Sequence, residues 1–238
     1  MTPNEADKPR VTLFDLDHTL LPLDSDHAWG DYIIGLGWVD AAEYKRRNDQ
    51  FYDDYKASKL DLNAYIAFST AVIVRQGAIN SIAAHAGFMG AVVKNAIKPE
   101  ALELVQRHQA AGDLVVIVTA TNEFVTRPIA DAFGVPDLIA VELARDTAPG
   151  GTGWVTGQIQ GVPSYQAGKV TRVAEWLHQR GLDWETVHTT FYSDSPNDLP
   201  LLEKVNVPVA TNPDARLLEV AQNRGWRILN LFSEPANV

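Results

Sequence analysis

Two acids stand two positions apart at the end of an apolar run. Val11 to Phe14 is followed by Asp15, Leu16, Asp17, His18 and Thr19. A short apolar run of this kind reads as a buried strand of a parallel sheet. Such sheets bind ligands at the carboxyl ends of their strands. Carboxylates are costly to bury there without partners. A metal ion or a transferred phosphoryl group is the usual compensation. Taken alone, the pattern is equally a solvated turn or a helix cap. Three later segments bear on the choice.

The first of them, Leu114 to Asn122, is a run of β-formers ending in Thr119, a small residue and a cap-like Thr121–Asn122 pair. It predicts a strand feeding a helix N-terminus. Backbone N–H groups there favour an anion, and the Thr119 hydroxyl is placed to donate to one. Gly168-Lys169-Val170 opens a helix running through Trp176 and Leu177. A lysine in a first helical turn opposes the dipole unless its ammonium meets an anion. Phe191 to Ser193 is a third apolar strand, ending in Asp194, with Asn197 and Asp198 opening the next helix.

The ordered set Asp15-x-Asp17-x-Thr19, Thr119, Lys169, Asp194-x-x-x-Asp198 resembles the four motifs of the haloacid dehalogenase superfamily. Its subfamily IB, the phosphoserine-phosphatase-like branch, is the most similar. The likeness runs from about residue 10 to 231. The strings at 17–26 and 119–126 are similar to bacterial members, some of which act on histidinol phosphate. Ser193 departs from the pattern, standing where many relatives carry Gly, and is expected to alter the turn without removing a ligand.

The resemblance implies an aspartyl-phosphate phosphatase. Asp15 would be the nucleophile, and Asp17 the acid that protonates the leaving group and later activates water. Mg2+ is the implied cofactor, held by the Asp15 and Asp194 carboxylates and the Asp17 carbonyl. Hard oxygen donors, few in number, suit that ion. No His pair at ligand spacing accompanies them, which argues against zinc. Thr119, Lys169, the Ala120 region and Asn197 would hold the phosphoryl oxygens. Asp198 would orient Lys169 or a metal-bound water. Asp24 and Asp26 are expected to face the leaving group and favour a cationic substrate. Histidinol phosphate fits that, with an amine and no carboxylate. Phosphoserine needs an arginine, for which Arg46, Arg47 and Arg75 are available. A phosphotransferase and a non-catalytic phosphate-binding module are the other classes. His18 is as compatible with packing at a cap interface as with chemistry, and His27 could face substrate.

The elements that must position these groups follow from the spacing. The chain between Asp15 and Thr119 is far longer than one βα crossover needs. Residues 22–96 read as an amphipathic helical cap, with helices at Asp40 to Ala57 and Asp61 to Arg75. Residues 1–21 and 97–238 read as the catalytic core, an α/β doubly wound parallel sheet of Rossmann-like order. Pro99 starts a core helix ending near Gly112. Trp154–Thr156 and Gln158–Gln160 are expected to be the two arms of a short hairpin. Val207 to Ala210 and Arg227 to Leu229 are further strands.

Composition narrows the classes. The chain has 238 residues, 46% hydrophobic and 21% charged, which suits a globular protein. A net charge of −10 argues against nucleic-acid or anionic-membrane partners. It also means that phosphate must be held by local groups and a cation. With no cysteine, thiol chemistry and disulfides are excluded. The polar start is unlike a signal peptide, and no apolar stretch is expected to approach a membrane span. A small phosphate ester is the expected partner, and the cytoplasm the expected location.

Overall fold

The structure is a computed structural model describing residues 8–232. In chain order, β1 (Arg10–Phe14) is followed by α1 (Ser25–Gly35), α2 (Ala41–Lys56) and α3 (Leu62–Phe88). A π-helical segment, Met89–Val93, then leads into α4 (Lys94–Ala96). The chain continues through α5 (Pro99–Ala110), β2 (Leu114–Asn122), α6 (Glu123–Ala132), β3 (Asp137–Val141), β4 (Leu143–Arg145), β5 (Val155–Ile159) and α7 (Ala167–His178). Then come β6 (His188–Ser193), a 3-10 turn Pro196–Asp198, α8 (Leu199–Leu202), β7 (Val207–Thr211), α9 (Ala215–Arg224) and β8 (Arg227–Leu229).

Six strands among the described residues form one sheet in the order β3-β2-β1-β6-β7-β8, parallel throughout. This is the doubly wound α/β architecture expected from the sequence. Period-two alternation splits β1 between the two faces. Val11 and Leu13 pack with Val173, Leu177 and Leu217. Phe14 packs on the opposite side with Leu104, Val105 and Ile129. The register is what serves the site. Phe14 lies opposite Ile117 on β2 and Tyr192 on β6. Asp15 therefore emerges between two strand ends that carry Thr119 and Asp194 two residues further on.

Side-chain caps start α2 and α3 where the sequence places them, and Asp24, expected to face the leaving group, caps α1. Asp24, Asp40 and Asp61 each accept a backbone N–H three residues on. The helix expected to end at Arg75 is interrupted at Gly77, where φ is 75°, and then resumes to Phe88. Glycine adopts that backbone without a Cβ penalty. The resumed helix overturns one expectation: Leu62–Ala96 is long and apolar enough by composition to cross a membrane, with a mean hydropathy of 1.2. Instead it buries Ile66, Val72, Ile73 and Phe88 in the core. The glycine break had hidden the length of the segment from a helix-by-helix reading.

The expected hairpin is also corrected. Trp154–Thr156 and Gln158–Gln160 do not pair with each other. Val155–Ile159 is one strand, antiparallel to Leu143–Arg145. Its Gly157, at φ 85°, lies within the strand, where it allows close approach to Thr70 and Val74 of α3. The turn instead lies before β5, where Asp146 accepts the Thr152 N–H at 2.9 Å.

Candidate active site

Asp15 leaves β1 with its N–H donated to the Tyr192 carbonyl at 2.9 Å. The following loop folds tightly, with Leu20 and Leu21 N–H groups both donated to the Leu16 carbonyl. His18 sits in the left-handed region at φ 57°. The Asn212 amide holds that loop by donating to the His18 and Thr19 carbonyls.

Lys169 resolves the dipole oddity seen in the sequence. It is 1% exposed, in the first turn of α7, and its Nζ donates to Asp15 Oδ1 at 2.7 Å and Asp198 Oδ2 at 2.8 Å. Burial disfavours the ammonium, but the two carboxylates outweigh it and hold Lys169 above the ordinary lysine range. Gly168 makes this placement possible. A Cβ there would run into the Pro163 carbonyl oxygen, so a side chain would push the helix start, and Lys169 with it, out of line.

Asp194 accepts from the Thr19 hydroxyl at 3.2 Å. Ser193 does more than alter a turn. Its hydroxyl donates to Asp198 Oδ2 at 2.7 Å and accepts from the Ser195 N–H at 3.2 Å. The Asp17 carboxylate receives the Ser25 N–H and the Thr121 hydroxyl, both at 2.8 Å. Thr119 Oγ1 accepts the Thr121 N–H at 3.1 Å, which leaves its own proton available to a ligand.

The electrostatics are those of an anion-crowded site with one resident cation. Burial lifts Asp15 to about 7 against the pull of Lys169, with Asp198 and Asp17 adding to the rise. Burial and the neighbouring Asp24 lift Asp17 to about 7, opposed by its bonds from Ser25 and Thr121. Burial, Asp15 and Asp198 push Asp194 well above the usual carboxylate range. Four acids share one ammonium, so an added cation would relieve the excess charge. Among the described residues, no three His or acidic side chains stand together as a ready metal cage. Two carboxylates and a main-chain carbonyl fit instead an ion that keeps waters and takes substrate oxygens, as Mg2+ does.

Asp15, Asp17, Asp24, Asp26, Thr119 and Ala120 line one narrow cavity of about 40 Å3. The carboxyl-terminal end of α2 lines it through Tyr52 and Tyr55 and is bonded to the core. Tyr52 Oη meets His18 Nε2 at 3.1 Å, and the Arg216 guanidinium donates to the Lys56 carbonyl. Asn197, expected at the phosphate, bonds the same helix end: its Nδ2 donates to the Tyr55 carbonyl at 3.0 Å. His18 is thus an interface residue. His27 lines the cavity with its Nε2 2.9 Å from Asp49 Oδ1.

Sequence reading missed Thr121, Ser25 and Tyr65. The sequence pairs Thr121 with Asn122 as a cap; Asn122 alone caps α6, accepting from the Val125 N–H, while Thr121 reaches Asp17. A β-branched hydroxyl two residues after Thr119, on the same side of an extended strand, was the available signal. Ser25 acts through its main chain, and Tyr65, whose hydroxyl bonds the Asp26 carboxylate, lies far along the chain, so neither carries a local mark.

Residues 12–203 match the family model described as haloacid dehalogenase-like hydrolase. A protein of Neisseria meningitidis serogroup C named histidinol-phosphatase is 42% identical over 221 residues, spanning 92% of this chain and 98% of the relative. A Mycobacterium tuberculosis protein named phosphoserine phosphatase SerB1 is 36% identical over 126 residues, 53% of this chain and 39% of the relative. A crystal structure of a Bordetella pertussis Tohama I protein of unknown function superposes with a TM-score of 0.87 at 44% identity, covering 94% of this chain and all of that one (100%). A substrate-bound phosphoserine phosphatase superposes with a TM-score of 0.64 at 15% identity, over 94% of this chain and 93% of that one; at that identity the likeness is one of fold.

Proposed function

We propose that this chain, which belongs to the haloacid dehalogenase-like hydrolase family and is a phosphatase, hydrolyses a small phosphate monoester through an aspartyl-phosphate on Asp15. The observation that carries the reading is the buried Lys169 ammonium, bonded at once to Asp15 and Asp198. It stands at the carboxyl edge of a parallel sheet, beside a cavity lined by Thr119 and Ala120.

The chemistry follows from these positions. Asp15 attacks phosphorus, and the Lys169 ammonium and the Thr119 hydroxyl offset charge on the phosphoryl oxygens. Asp17, with a carboxyl near pH 7, donates its proton to the departing alkoxide. It then takes one from the water that cleaves the acyl phosphate. Asp198 holds Lys169 in place. Mg2+, carried by Asp15, Asp194 and the Asp17 carbonyl, would neutralise phosphoryl charge when bound. Residues 22–96 act as the cap over a core formed, among the described residues, by 8–21 and 97–232; residues 1–7 and 233–238 of the expected core lie outside the described residues. The cytoplasm is the proposed setting.

Histidinol phosphate is the substrate this reading favours. The Neisseria relative bears that activity in its name, and no arginine or lysine lines the cavity among the described residues. The arginines that phosphoserine would require are engaged elsewhere. Arg46 bonds Glu43, Arg47 lies 4.5 Å over the Phe68 ring, and Arg75 donates to the Trp38 carbonyl. Comparing kcat/KM for the two esters with Mg2+ tests the choice. A tenfold or larger preference for phosphoserine would reverse it. Release of free phosphate in the presence of added alcohols is expected, and phosphorylated alcohol as the main product would make the protein a transferase.

A further inference from the structure

Lys169 does not by itself fix the acid that holds it. Its Nζ stands 2.8 Å from both carboxyl oxygens of Asp198. A donor placed evenly between two such oxygens is a pivot: the carboxyl can rock about its last torsion and still keep a bond. That torsion, between an sp3 and an sp2 carbon, has a broad minimum. A second donor on one oxygen removes the symmetry. Ser193 is that donor, with its hydroxyl 2.7 Å from Asp198 Oδ2.

The direction of the Ser193 proton is settled by its surroundings. The Ser193 oxygen already accepts the Ser195 N–H at 3.2 Å, and an ionised carboxylate only accepts. The proton therefore points to Asp198. The Ser195 hydroxyl in turn accepts the Asn197 N–H at 3.2 Å, so two serine oxygens lace the turn that carries Asp194. Ser193 and Asp198 are both buried, and a hydrogen bond shielded from water is the stronger for it.

We infer that Ser193 is a positioning residue for phosphoryl transfer: by pinning Asp198 it aims the Lys169 ammonium. The inference rests on the phosphatase reading above and deepens it. An ammonium has three protons. One goes to Asp15 at 2.7 Å and one to Asp198, which leaves the third for a phosphoryl oxygen. When Asp198 rocks, the ammonium follows it and the third proton loses its aim. A misplacement of about 1 Å at a reacting centre costs up to about a hundredfold in rate. A glycine at this position has no hydroxyl, so the departure of Ser193 from the family pattern supplies a contact that the common pattern lacks.

The test measures kcat and KM of parent, Ser193→Ala and Ser193→Gly with Mg2+, on histidinol phosphate or phosphoserine, whichever the parent turns over faster. Thermal melting verifies that each variant folds. In both variants kcat is expected to fall about tenfold while KM moves less than about twofold, because the third proton matters most once charge shifts onto the phosphoryl oxygens. Ser193→Ala is then made in Asp198→Asn, and phosphate release is followed in a single turnover at high enzyme concentration, which keeps a slow variant measurable. There it is expected to cost less than about twofold, since the carboxylate it pins is gone. An equal fall in both backgrounds would overturn the inference, because Ser193 would then act on the turn alone. So would a kcat within about twofold of the parent, or a loss confined to KM; the phosphatase reading survives each of these results. A parent inactive on both esters would instead remove that reading and this inference with it.

Discussion

Replacing Lys169 by Met removes the one ammonium at the centre of the acidic cluster while keeping most of the side-chain volume. Volume-conserving exchange limits the packing loss, so the effect reports charge. Two partners are stranded: Asp15 at 2.7 Å and Asp198 at 2.8 Å, both buried. Removing one member of a buried pair costs about 3–5 kcal/mol. For a chain of this size that lowers Tm by roughly 6–20 °C. The loss depends on pH in a defined direction. A carboxyl whose folded pKa lies above its unfolded value stabilises the fold below the unfolded pKa, and that contribution disappears as pH rises through the folded one.

Asp15 is already raised from 3.8 to about 7 with Lys169 present, and losing the ammonium raises it further. The variant is therefore expected to be hurt most at pH 8. Its deficit should shrink by about 1.4 kcal/mol per pH unit toward pH 6 for each extra proton held. Urea denaturation of parent and variant with chelator at pH 6 and 8 measures both quantities. Adding Asp198→Asn to the variant should recover at least about 1 kcal/mol, since neighbours in one network couple. A deficit below about 1 kcal/mol at pH 8, or one equal at the two pH values, would refute the account of Lys169 as the charge that the cluster requires.

Asp15→Asn should lower turnover by about four orders of magnitude or more with the fold retained; activity within tenfold of the parent contradicts the nucleophile. Thr121→Val removes a bond that favours ionised Asp17, so the basic limb of the kcat–pH profile should move upward by about one unit. A fixed limb would mean that Asp17 is not the titrating acid. Gly168→Ala should cost about 1–3 kcal/mol through overlap with the Pro163 carbonyl and also depress kcat by displacing Lys169. Parent-like stability and turnover would show that the start of α7 can shift freely.

The amino-acid sequence by itself determined the strand runs, the acids at their carboxyl ends, the Asp starts of α2 and α3 and the order of the motifs. These are local properties: alternation, apolar run length and side-chain capping act within a few residues. The tertiary structure alone decided the partnerships. Lys169 meets Asp15 across 154 residues and Thr121 meets Asp17 across 104, distances set by sheet register and by no pattern in the chain. The same holds for the arms of the β4–β5 hairpin, for Asn197 turning toward α2, and for the arginines that leave the cavity without a cation. Asp24 and Asp26 separate for the same reason. They are alike in type and two positions apart, but one caps a helix and is half-buried while the other is enclosed. The partners of Asp26, Asn122 and Tyr65, come from distant parts of the chain, and only the folded chain brings those atoms there.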